Sequence, residues 1–152
     1  MKIFRPLIII LLLGLALLVR LYKIDNPIAD WHSFRQADTA SVTLNFVDKG
    51  LHFFVPTYHD LSNIQSGKDN PNGYRMVELP LYNLLHFEVL HLFPGLGLDM
   101  AGRLTSVLLS LVSIVVLYLI VNKLSGYFMA ALTTFFMALL PFNIFYSRVI
   151  LS

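Results

Sequence analysis

The side chains that could do chemistry are gathered in one stretch of this sequence. It carries 11 Lys and Arg and 9 Asp and Glu. Twelve of these charges fall between residues 22 and 78: Lys23, Asp25, Asp30, Arg35, Asp38, Asp48, Lys49, Asp60, Lys68, Asp69, Arg75 and Glu78. A positioned carboxylate can take or give a proton, and the planar fork of an arginine binds phosphate oxygens two at a time. Arg35 and Asp38 are three residues apart, on neighbouring positions of one helix face, where the plain expectation is a solvated ion pair. A carboxylate so placed beside an arginine is expected to have a lowered pKa. His32, His52 and His59 lie in the same stretch without an i, i+4 pair or an HExxH motif, so surface histidine is the default and zinc would need convergence in space. Cysteine is absent, which excludes disulfide frameworks, thiolate metal sites and cysteine nucleophiles.

The rest of the chain is apolar. Hydrophobic residues make up 57% of the 152 and charged residues 13%, against ~25% charged in a soluble domain, and mean hydropathy is +0.70. A water-soluble globule is excluded, and the reading is an integral membrane protein with one polar excursion. The net charge of +2 comes without any basic run longer than one residue, so nucleic acid is not an expected partner.

Three apolar segments are expected to span. Residues 6–19 carry no charge and are flanked by Lys2 and Arg5 and by Arg20 and Lys23. No small-residue cleavage pair follows, so an uncleaved anchor is expected over 1–22, with Arg20 snorkelling. Uncharged runs at 104–121 and 127–146 give transmembrane helices over 99–123 and 126–148. Asp99 is placed to cap the second, four residues before Arg103. Gly102, Ser106, Ser110 and Ser113 line one side of it, a small-residue stripe for close helix approach. Pro80 to Phe93 is too short to span, ~21 Å as a helix, and carries His86, Glu88 and His91. Residues 79–95 are therefore read as an interfacial helix, with Pro80 in its first turn and Pro94-Gly95 as its stop. Segment lengths then place the amino terminus inside and the 23–100 region outside, and an external loop without cysteine is compatible with a bacterial inner membrane facing the periplasm.

Between the first and second spans, 23–78 reads as an external loop. Ser33 and Gln36 fit a capping box, Gly50 supplies a left-handed stop, and Ala37, Ala40, Leu44 and Val47 recur at helical spacing, which predicts an amphipathic surface helix over 34–49. Leu51 to Val55, ended by Pro56, is expected to pack on the membrane or the helices. Ser62 to Tyr74 is turn-rich around Asn70-Pro71-Asn72-Gly73, either a flexible flap or a tight turn.

The ordered set of features resembles the amino-terminal part of the GT-C class of integral-membrane glycosyltransferases, which includes protein O-mannosyltransferases and lipid A aminoarabinose transferases. The matching pieces are Trp31 to Ala40 (WHSFRQADTA), Lys49-Gly50 with Pro56, Glu78 to Tyr82 (ELPLY), Ala101 to Leu104, and Tyr146-Ser147-Arg148. The resemblance implies an all-α bundle of which three spans are a share, and inverting transfer of a sugar from a polyprenyl-phosphate donor to a hydroxyl of a glycan, lipid or protein acceptor outside the membrane. It implies that the first-loop acid accepts the acceptor's proton, a role carried here to Asp38 with Arg35 beside it. Relatives often have an Asp-Glu pair where this chain has Arg35-Gln36. Where aminoarabinose transferases have a lysine this chain has Glu78, which leaves donor phosphate to Arg75, Arg35 or Arg148, with Glu78 and Tyr82 as substrate contacts. No cofactor is expected, although a divalent metal is compatible. Ser152 follows the third span at once, so the chain is expected to continue, and the fragment alone to be inactive. Two other readings compete: an anchor or small subunit whose loop binds a partner, and a transporter fragment gated by Asp38 and Arg35. No charge inside the three predicted spans speaks against the latter.

Overall fold

The charged stretch contains one helix and leads directly into another. The computed structural model describes residues 4–28, 32–64 and 67–151. Trp31, at the head of the motif, and Lys2, one of the topology charges, lie outside the described residues. Helix α1 is Phe4–Leu21, α2 Ser33–Lys49, α3 Leu81–Leu92, α4 Leu98–Ser125, α5 Tyr127–Leu139 and α6 Pro141–Tyr146. Among the described residues there are no strands beyond a single antiparallel bridge between Thr57 and Tyr74. The chain divides into two units, Met1–Ile24 with Ser106–Val149, and Asp25–Thr105 with Ile150–Ser152.

In the unit holding α2 and α3, the predicted capping box is absent. His32 occupies the N-cap in the left-handed region, at φ 58°, without a side-chain cap. Gln36 instead accepts a hydrogen bond from the Ile150 amide on Oε1, at 3.0 Å. Gly50 ends α2 at φ 91° and ψ 163°, a positive φ that glycine tolerates but not the αL stop expected. The buried face of α2 is more polar than its apolar periodicity implied: Gln36, Asp38, Thr39, Thr43 and Asn45 are buried with Ala40, Val42 and Phe46, whereas Ala37 and Val47 are exposed.

Hydrogen bonds explain how such a face can be covered, since a buried polar group is tolerable only when paired. Asn83 of α3 donates through Nδ2 to the Thr39 carbonyl at 2.6 Å and to Thr43 Oγ1 at 3.1 Å. Pro80 is the N-cap of α3, and Pro94-Gly95 follow its C-cap, Phe93. Asp99 does not cap α4; its Oδ2 accepts from the Ile28 amide at 3.3 Å, while Arg103 donates to the Pro27 carbonyl at 3.2 Å. Gly102 serves the close approach foreseen for the small-residue stripe, because a Cβ there would sit 2.8 Å from both His86 and Ile150.

In the other unit, Ala16, Ile114 and Ala138 form the buried apolar centre. The predicted third span is not one helix. Pro141 has no amide hydrogen and its ring opposes the carbonyl four residues back. Leu140, held extended before the proline at φ −59° and ψ 125°, separates α5 from α6. α5 has 13 residues, ~20 Å of helix against ~30 Å of hydrocarbon. Among the described residues one helix, the 28-residue α4, is long and apolar enough to cross a membrane; Pro6–Leu21 and α5 are shorter apolar helices.

Arg20 does not snorkel to a polar boundary. It is fully buried, donating to the carbonyls of Ala16 (3.0 Å), Ala138 (2.9 Å) and Met137 (3.1 Å) and to Ser147 Oγ (2.7 Å). The break at Pro141 explains why: the Met137 carbonyl would bond the amide of residue 141, and proline has none. Arg20 supplies that donor, and its charge suits the negative end of α5.

Candidate functional site

The site is built by α2 and the loop that returns to α3. One turn apart on α2, Ser41 and Asn45 hold this loop: Ser41 Oγ accepts from the His59 amide at 2.8 Å and lies 2.6 Å from His59 Nδ1, and Asn45 Nδ2 donates to Thr57 Oγ1 at 3.0 Å. The Thr57 to Tyr74 bridge draws the returning segment alongside, with the Tyr58 amide bonded to the Gly73 carbonyl and the Arg75 amide to the Pro56 carbonyl, each at 2.8 Å. The flap or turn of residues 62–74 is, at 70–73, a tight turn. Asn70 clamps Tyr74 through both amide atoms, and Gly73, at φ 63°, sits where a Cβ would lie 2.4 Å from the Tyr58 carbonyl.

This frame brings Arg35, Asp38, Arg75 and Glu78 together, but not in the pairs that sequence spacing implied. Arg75 Nη1 is 2.9 Å from Asp38 Oδ2, and Arg35 Nη2 is 2.8 Å from Glu78 Oε1. The Arg35 to Asp38 pair expected three apart on one helix is replaced by partners from across the loop. The reason is burial: Asp38 faces inward on α2, and the cation that can reach it there comes from the chain packed on that face. The side chains of Arg75 and Asp38 are 14% and 10% exposed, those of Arg35 and Glu78 38% and 33%. The Arg75 guanidinium also lies over the Tyr58 ring, 5.1 Å from its centre.

The electrostatics of Asp38 also differ from expectation. Burial pushes its carboxyl above the ordinary carboxylate value; Arg75 pulls it back, Asp60 pushes the same way as burial, and Arg35 pulls down, and the net direction is up. The opposite holds for Asp60, which lies below its ordinary value because its side chain accepts from Ser62. Asp38 and Arg75 line a cleft of about 660 Å³ together with Phe34, Tyr58, Asp60, Lys68, Met76 and Val77.

Two other candidates lie elsewhere. Tyr82 is buried, with its hydroxyl donating to the Gly102 carbonyl at 2.7 Å, a packing role. Arg148 belongs to the other unit, where it donates to the carbonyls of Tyr22 and Lys23. Sequence reasoning passed over Tyr58 and Lys68 as wall residues; the pairing of Thr57 with Tyr74 that brings them in leaves no periodic signal. Among the described residues, no three His, Asp or Glu side chains gather as a metal would need. Comparison with known protein families, curated proteins and solved structures finds no match to this chain.

Proposed function

We propose that the chain carries the first-loop site of a membrane glycosyltransferase, one that moves a sugar from a polyprenyl-phosphate donor to an acceptor hydroxyl on the outer side of a bacterial inner membrane. The observation that carries the reading is Asp38: a carboxylate whose pKa is pushed up by burial, paired with an arginine, on the wall of a cleft large enough for a sugar. A raised pKa makes it a better base than a solvated aspartate. In the proposed step the Asp38 carboxylate takes the proton of the acceptor hydroxyl as its oxygen bonds the anomeric carbon. The bond from that carbon to the phosphate oxygen breaks on the opposite face, with inversion, and the phosphate leaves with the electron pair. Arg75, on the cleft wall, offers the cation that stabilises the departing phosphate. Arg75 is bonded to Asp38 in the free protein, so donor phosphate competes with Asp38 for it. Binding the donor then releases the base.

The test is Asp38→Asn in the complete membrane-embedded enzyme, incubated with radiolabelled polyprenyl-phosphate sugars. Transfer is expected to fall by ~10²-fold or more, with insertion unchanged; near-normal turnover sinks the assignment. The competing reading, an anchor or subunit whose loop binds a partner, draws on the exposed apolar side chains Phe54, Met76 and Val77.

A further inference from the structure

The loop that builds the site also has an apolar root. Phe53, Phe54 and Val55 precede Pro56, and Met76, Val77 and Leu79 follow Arg75; the hydrogen bond from the Arg75 amide to the Pro56 carbonyl holds the two segments side by side. Phe54 is 83% exposed, Val77 68%, Met76 63% and Leu79 58%. Both segments line one shallow cleft of about 290 Å³. Its one charged residue, Glu78, is engaged by Arg35. A surface that leaves such large apolar side chains together in water is disfavoured.

The charge distribution and the course of the chain say what covers them. Asp60, Lys68 and Asp69 all lie in the distal part of the loop, and the root is free of charge except for groups in ion pairs. That polarity matches a boundary between water and hydrocarbon. From Leu79 the chain continues into α3, whose Leu81, Leu85 and Leu92 are exposed, and Phe93 lies five residues before Leu98, the start of α4, which among the described residues is the one helix long and apolar enough to cross a membrane. A chain of five residues spans ~18 Å at most, so the end of α3 stays near the level at which α4 enters an apolar phase.

We propose that the paired segments Phe53–Val55 and Met76–Leu79 form a wedge that enters the outer leaflet of the bilayer and seats the Asp38 cleft at its surface. This rests on the membrane reading above, but not on the glycosyltransferase chemistry. Insertion is of the interfacial kind, ~5–10 Å into the boundary between headgroups and acyl chains.

The test uses the full chain in phosphatidylcholine and phosphatidylglycerol vesicles, with Trp31→Phe removing the sole tryptophan. Phe54→Trp, at an exposed position that admits the larger ring, reports the wedge; Val77→Trp reports its other half; Val112→Trp, exposed on α4, reports the span. Lipids brominated near the headgroup end of the acyl chain are expected to quench the first two more than lipids brominated near the chain terminus, and the reverse is expected for Val112→Trp. Quenching of Val112→Trp with none at either wedge position overturns the wedge and leaves the membrane reading standing. A wedge position quenched most by the deepest bromines also overturns it. No quenching at any position overturns both.

Discussion

Two arginines in the two units show how differently the same side chain can be used. Arg20 is fully buried and gives its donors to three backbone carbonyls and one serine hydroxyl. The three carbonyls are fixed parts of helices, so the guanidinium is a structural plug for the break that Pro141 makes in the apolar run. Arg75 gives its donor to a carboxylate that lines an open cleft. A carboxylate on a cleft wall can be displaced by another anion, whereas a helix carbonyl cannot. The acceptor, more than burial, separates an arginine that holds a fold from one available for chemistry.

The largest effect expected from breaking this contrast is on stability. Arg20→Leu leaves the Met137 and Ala138 carbonyls without the donors they have, at ~1–3 kcal/mol for each unsatisfied buried acceptor, and should strongly lower the midpoint of detergent-monitored unfolding. Arg75→Leu should lower that midpoint less, because Asp38 stands on the wall of an open cleft and can be protonated when its partner is lost. Equal losses in the two variants erase the distinction.

Next in size is the response of transfer to pH. In the proposed step the base must be ionised, so transfer is expected to fall as pH drops through the Asp38 pKa, which lies above the ordinary carboxylate value of 3.8. Arg75 is the strongest influence holding it down. Arg75→Gln is therefore expected to move the acid limb of the rate profile to higher pH, besides slowing transfer; an acid limb that stays in place separates Arg75 from the base.

Pro141→Ala sharpens the comparison from the other side. An alanine amide can bond the Met137 carbonyl, so the loss caused by Arg20→Leu should shrink in that background by ~1 kcal/mol. Additive losses contradict the plug. The smallest effect belongs to Glu78→Gln, which frees the more exposed Arg35 and should alter transfer less than tenfold and stability by under ~1 kcal/mol.

Much of this arrangement is legible in the residues themselves. Gly50, Pro80 and Pro94-Gly95 bound α2 and α3 where the sequence places them, and Asn70 to Gly73 makes its turn. Arg35, Asp38, Arg75 and Glu78 stand out as the charges of one loop. Their pairing is not legible, because it depends on a contact between Thr57 and Tyr74 and on hydrogen bonds from Ser41 and Asn45, which have no periodicity. Spacing along α2 puts Arg35 next to Asp38; packing turns one toward Glu78 and the other toward Arg75. Pro141 stands within the third apolar run, but run length alone favours an unbroken span. The polar buried face of α2 is not legible in its apolar periodicity, because Asn83, forty-odd positions away, supplies the bonds that make it tolerable.

In the proposed reaction Asp38 is the base and Arg75 its displaceable partner. Transfer from radiolabelled polyprenyl-phosphate sugars, measured in membranes holding the full-length Asp38→Asn and Asp38→Glu variants alongside their unfolding midpoints, tests it most directly. The account predicts loss of ~10²-fold or more in the asparagine variant, partial recovery in the glutamate variant, and midpoints close to that of the parent. Near-normal transfer by Asp38→Asn, with its fold intact, would contradict it.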